Sequence, residues 1–116
     1  MNVLFILNDP PYGTERSYNG LRLALALARR DEVALRVFLM GDAVGCAMVG
    51  QKVPQGYYDL ERMIDSAARR GVEVGCCGTC LDARGITEDL LAKGARRSSM
   101  AELAEWTLWA DKVATF

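Results

Sequence analysis

The feature that most constrains this chain is an unbroken apolar run, Val3-Leu4-Phe5-Ile6-Leu7, halted by Asn8-Asp9-Pro10. Five consecutive apolar residues without polar alternation suit a strand covered on both faces, and such strands occupy parallel sheets flanked by helices. The rest of the chain keeps to that plan. Residues 33–40, 72–76, 95–98 and 112–116 read as four further strands. Between them, residues 14–30 place Leu21, Ala24, Leu25, Leu27 and Ala28 at helical spacing, with Thr14 or Ser17 as N-cap and Arg29-Arg30 at the C-terminal end. Residues 57–70 form a second long helix on a stripe of Leu60, Met63, Ile64 and Ala67, stopped by Gly71. Short helices are expected over 42–49, carrying Cys46, and over 87–92, capped by Thr87 with Glu88 in its first turn. The last helix, 99–110, opens on Ser99 and Glu102 at capping-box spacing and carries Leu103, Trp106 and Ala110. This alternation predicts one α/β domain over residues 1–116, a three-layer α/β/α arrangement with a mainly parallel sheet of about five strands.

A chain of 116 residues can build a hydrophobic core without disulfide staples. With net charge −1 and no basic run longer than the pairs 29–30, 69–70 and 96–97, the sequence argues against nucleic acid or an anionic membrane as partner. No segment approaches a membrane span, and the opening residues lack the length and charged flank of a secretory leader. The expected location is the cytoplasm, where thiols stay reduced. Histidine is absent, which removes Ser/His and Cys/His nucleophile pairs and His-containing metal sites. Chemistry is left to cysteine, carboxylate or backbone.

Three of the four cysteines stand at 76, 77 and 80, where a β-rich run passes through Gly78 into a short helix over 79–84 stopped by Gly85. The first amides of a helix have no intrahelical partner and favour negative charge before them, so a thiol at this junction ionises more readily. Gly78 allows close backbone approach. Cys77 and Cys80 are therefore the candidate catalytic residues, with Gly78 and Thr79 beside them. The plainer alternative makes both cysteines small core residues, the reading adopted for Cys46 and Cys76. A four-cysteine metal site is disfavoured because adjacent strand residues such as Cys76 and Cys77 point to opposite faces; no metal and no cofactor are expected. A thioredoxin arrangement fits poorly, since Pro10, Pro11 and Pro54 all precede the motif.

The loop after the first strand supplies Tyr12, Gly13 and Thr14 as candidate lining of a pocket against the cysteine loop, on the expectation that strands one and three are neighbours. As a phosphate cradle this loop lacks both G-x-G-x-x-G and a Walker lysine; a turn plus helix cap is its competing reading. Residues 50–56 are a candidate lid. Arg84 is either a stabiliser of a thiolate or persulfide or a solvated helix-end charge. Trp106 and Trp109 suit core or subunit interface.

The whole chain resembles the DsrE/DsrF-like family, including its TusD-like sulfur-relay subunits and YchN-type small members. The resemblance is carried by Pro11-Tyr12-Gly13-Thr14, the helix over 21–28, the cysteine strand running into Ala83-Arg84-Gly85-Ile86, and the closing Ala110-Asp111-Lys112-Val113 with Phe116. It implies a flavodoxin-like layered fold and a sulfane sulfur held as a persulfide on Cys77, received from a donor protein and yielded to an acceptor protein. Cys80 matches the second cysteine of the Cys-Gly-Thr-Cys version, absent from the relay subunits, and opens a route to sulfide release and a disulfide. Family assemblies imply a homotrimer or homohexamer, with which Tyr57, Tyr58 and Trp109, if exposed, are compatible. A non-catalytic oligomeric binding module and, more weakly, a thiol-disulfide reductase are the alternatives.

Overall fold

The computed structural model describes residues 1–116. Strands β1 (Asn2–Leu7), β2 (Ala34–Leu39), β3 (Glu73–Cys77), β4 (Ala95–Ser98) and β5 (Lys112–Thr115) form one sheet in the order β4-β3-β2-β1-β5. Every neighbouring pair is parallel. The apolar run at the start of the chain lies inside this sheet, between β2 and β5, with Leu4, Phe5 and Leu7 fully buried. The expectation of neighbouring first and third strands is overturned: β2 stands between them. Because β1 to β4 step outward in sequence order, each connection moves the chain one place along the sheet, and only the last returns it to the far side of β1.

Four α-helices complete the fold: α1 (Arg16–Leu27), α2 (Leu60–Arg69), α3 (Gly78–Ala83) and α4 (Met100–Trp109). Leu7 and Leu39 are paired across β1 and β2, and Leu7 faces Gly20 of α1 so closely that a Cβ there would lie 2.6 Å from its Cδ2. The adjacent Phe38 points to the opposite face, where its ring meets the edge of Trp106 of α4 at 6.0 Å. Helices α1 and α4 thus cover opposite faces, with α2 packed beside α1, which is the expected three-layer arrangement.

Local chemistry explains most of the boundaries. Asp59 caps α2 by accepting from the Arg62 amide, Ser99 caps α4 by accepting from the Glu102 amide, and Gly71 follows α2 with φ +85°. The capping box on α4 is half formed, because the Glu102 carboxylate turns to Arg96 and Ser98 instead of returning to Ser99. Ser17 does not cap α1, its Oγ donating back to the Asp9 carbonyl at 2.6 Å; Thr14 Oγ1 donates to the Asp9 carboxylate and accepts from the Arg16 amide at 3.4 Å, a long contact at the first residue of α1, while the N-cap position itself falls on Glu15. The segment 42–49 is a 3₁₀ helix, Gly41–Ala47. Residues 87–92 hold only a 3₁₀ turn, Glu88–Leu90, and Thr87 bonds Asp89 without capping it. Leu91 then enters an antiparallel bridge with Met48 and the Ala92 amide donates to Ala47. No helix is long and apolar enough to cross a membrane.

Candidate thiol site at the carboxyl end of the third strand

Strand β3 ends at Cys77, and α3 begins at the next residue, so the two-sulfur motif sits at the carboxyl edge of the sheet. Cys77 is only 5% exposed, whereas Cys80, one turn into α3, is half-buried. Thr79 Oγ1 lies 3.3 Å from Cys77 Sγ. The Gly41 amide, at the start of the loop after β2, donates to Cys80 Sγ at 3.2 Å. That loop grips α3 a second time through Asp42, whose Oδ1 accepts from Arg84 Nε and Nη2 at 3.1 and 2.8 Å. Arg84 Nη1 also donates to the Cys80 carbonyl. On the other side, Arg97 of β4 reaches Asp82 of α3 in a two-pronged ion pair at 2.8 and 3.0 Å. Its guanidinium passes so near Gly78 that a Cβ there would lie 2.9 Å from Cζ, Nε and Nη2.

The two thiols are driven in opposite directions. Burial by itself would raise Cys77, but the Cys80 and Thr79 side chains and the amides of both residues outweigh it and hold Cys77 below an ordinary thiol. Cys80 is raised, first by burial and then by its hydrogen bond to Cys77 and the charge there, against smaller lowering by the Gly41 amide and Arg84. The directions are opposite, so of the two thiols Cys77 is the one that ionises first. Cys76 and Cys46 are fully buried, and burial pushes each thiol up to about 12. Both are core residues, as the sequence suggested. No group of three or more His, Cys, Asp or Glu side chains is arranged to hold a metal ion.

The remaining sequence candidates fall into two sets. Gly78, Thr79 and Arg84 stand with the cysteines, although Arg84 serves Cys80 rather than Cys77. Tyr12 and Thr14 engage other partners. The Tyr12 hydroxyl donates to Gln51 Oε1 at 2.6 Å and accepts from the Leu60 amide at 3.2 Å, while its ring stacks on Tyr58. Thr14 bonds Asp9, and Gly13, at φ +99°, makes the turn. The link between the two loops is indirect: the Asn8 carbonyl lies beside Gly41, which in turn holds Cys80. Residues 50–56 are fastened at their root, since Gln51 Nε2 donates to the carbonyls of Gly45, Cys46 and Met48. Trp109 and Tyr58 are half covered, by Arg36 at 4.1 Å and by Tyr18 at 3.9 Å respectively, and Tyr57 alone of the three aromatics is open to solvent.

Sequence reasoning missed Gly41, Asp42, Asp82 and Arg97. Asp42 registered only as the start of the short helix expected over 42–49, and Arg97 only as half of a basic pair. The missing signal was strand order: once β2 and β4 are known to flank β3, the residues that close β2 and line β4 become neighbours of the thiols.

Known proteins carry the same arrangement of fold and chain. The DsrE/DsrF-like family matches residues 1–116. Protein YchN of Escherichia coli K12 is 43% identical over 115 residues, covering 98% of this chain and 97% of that protein. An uncharacterised protein of Methanopyrus kandleri, MK0008, is 33% identical over 115 residues, covering 98% and 93%. The crystal structure of E. coli YchN superposes with a TM-score of 0.93 at 42% identity, covering 99% of this chain and 98% of that one. A match over the full length in sequence and in fold means that this chain belongs to the DsrE/DsrF-like family.

Proposed function

We propose that this protein handles sulfane sulfur, carrying it as a persulfide on Cys77 between a donor and an acceptor protein. In the loading step the Cys77 thiolate attacks the outer sulfur of a donor persulfide, forming Cys77–S–SH and releasing the donor as a thiolate. In the unloading step an acceptor thiolate attacks that same outer sulfur and Cys77 leaves as thiolate, so no external oxidant or reductant enters either step. The observation that carries the reading is the placement of Cys77 at the junction of β3 and α3 with Thr79 Oγ1 3.3 Å from its sulfur, supported by the lowering of Cys77 against the raising of Cys80. A relay of this kind needs thiols kept reduced, which sets it in the cytoplasm. A homotrimer or homohexamer belongs to the same proposal; the open edge strand β5 and Leu108, 88% exposed, leave surface for it.

A second reading uses the same pair. If the Cys80 thiolate attacks the inner sulfur of Cys77–S–SH, a Cys77–Cys80 disulfide forms and hydrosulfide leaves, the sulfane sulfur being reduced as the two cysteines are oxidised. Burial raises the Cys80 thiol, so this route is expected to gain speed as pH rises. The test is sulfide release from persulfidated protein followed against pH. Wild type is expected to release more sulfide at alkaline pH, and Cys80→Ser to retain its persulfide throughout. Equal, pH-independent release from both would remove Cys80 from the chemistry.

A further inference from the structure

We propose that Arg97 is the positioning residue for negative charge on the Cys77 sulfur and that Asp82 regulates it, an inference that deepens the persulfide reading of the same site and rests on it. Strand β4 runs parallel beside β3, with Cys76 opposite Arg97 and Cys77 opposite Ser98. That register brings the Arg97 side chain across the first residue of α3, and glycine at 78 leaves the guanidinium room to lie against the backbone immediately after the thiol. Asp82 grips the end of the fork through Nη1 and Nη2. The ion pair is open to solvent, its side chains 41% and 62% exposed, and an exposed pair of this kind contributes little to stability. What it does accomplish is to fix a permanent cation at the end of β3.

To the local donors that already lower Cys77, Arg97 adds a full positive charge. From α3 come Cys80 and Thr79, whose side chains both lower Cys77, Thr79 Oγ1 lying 3.3 Å from the sulfur. From β3 comes the buried, neutral Cys76. Arg84 is held by Asp42 and acts on Cys80. Arg97 interacts with Asp82, Glu88 and Cys77, all of which favour its charged form. The two arginines thus divide the pair of thiols between them. When Cys77 takes a sulfur, the charge moves to an outer atom about 2 Å from Sγ, a typical sulfur–sulfur bond length, and a guanidinium lying against Gly78, the next residue, would stabilise it there.

Two substitutions break the same ion pair with opposite electrical results, which separates charge from architecture. The measurement is the pH profile of Cys77 alkylation by iodoacetamide, the modified residue localised by fragment mass, run beside loading from a persulfide donor. Arg97→Gln is expected to shift the profile to higher pH, leaving about threefold less thiolate near neutral pH, as for removal of a partly screened opposite charge. Asp82→Asn is expected to shift it to lower pH, because the freed guanidinium is no longer neutralised. Arg97→Lys should recover part of the loss, and Gly78→Ala, whose Cβ displaces the fork, should behave like Arg97→Gln. High salt should shrink every difference. Shifts of the same sign in Arg97→Gln and Asp82→Asn, or none in either, overturn the role of Arg97 and leave sulfur carriage by wild type untouched. Failure of wild type to load sulfur overturns the carrier reading, while the alkylation profiles still decide whether Arg97 governs the Cys77 thiolate.

Discussion

Four cysteines in one small domain have three different electrostatic fates, and burial alone does not sort them. For Cys46 and Cys76 burial outweighs the lowering by Ser17 and by Arg96 respectively, and both thiols are pushed up to about 12. Cys77 is nearly as buried but gains donors from Thr79 and Cys80 and moves the other way. The first two have a consequence for stability. A thiol whose value is raised on folding above the unfolded one, near 8.5, stabilises the fold fully below that pH and loses this contribution as pH climbs toward the folded value. Urea unfolding is therefore expected to show falling stability from about pH 8.5 upward, with a shallower fall in Cys46→Ala; an unchanged slope would show that Cys46 contributes nothing to it. Strand alternation was enough to assign Cys76 and Cys77 to opposite environments. It was not enough to find Arg97, because Arg96 and Arg97 look alike in sequence, yet Arg96 binds Glu73 and Glu102 and lies over Trp106, while Arg97 turns to Asp82. Only the pairing of β4 with β3 distinguishes them.

At the scale of elements, segments with local chemistry at their ends were legible and those decided by distant partners were not. The cap Ser99 and the stop at Gly71 are read within a few residues of their effect, whereas the Asp59 cap, which starts α2 at Leu60 and not at residue 57, was missed. Ser99→Ala is accordingly expected to cost about 1 kcal/mol in denaturant unfolding, the usual loss of an N-cap acceptor; a change indistinguishable from zero would mean that α4 is held by Leu103 and Trp106 alone. The segment 87–92 behaves otherwise. Its pattern suits a helix, but the bridge from Leu91 to Met48 and the hydrogen bond from Ala92 to Ala47 draw its end into extended backbone, and one 3₁₀ turn is all that survives. Asp9 has a similar effect on α1, drawing both candidate cap hydroxyls to itself.

Across the whole molecule, the layers followed from the alternation of strands and helices, whereas the order of strands did not. An apolar β1 requires cover on both faces, and that requirement is met equally whether β2 or β3 stands beside it. The order found, β4-β3-β2-β1-β5, separates Tyr12 and Thr14 from the thiols and inserts the Gly41-Asp42 loop between them. The site is thereby built at three adjacent strand ends: β3 runs into α3, the Gly41-Asp42 segment after β2 holds Cys80 and Arg84, and Arg97 of β4 holds Asp82. Its central claim is that Cys77 holds transferable sulfur, and the direct measurement is the intact mass of reduced protein after incubation with a sulfane-sulfur donor. The expected result is a gain of roughly 32 Da, one sulfur, in wild type and Cys80→Ser, reversed by reductant and absent in Cys77→Ser. Retention of the same mass by Cys77→Ser, or no gain in any form of the protein, would contradict it.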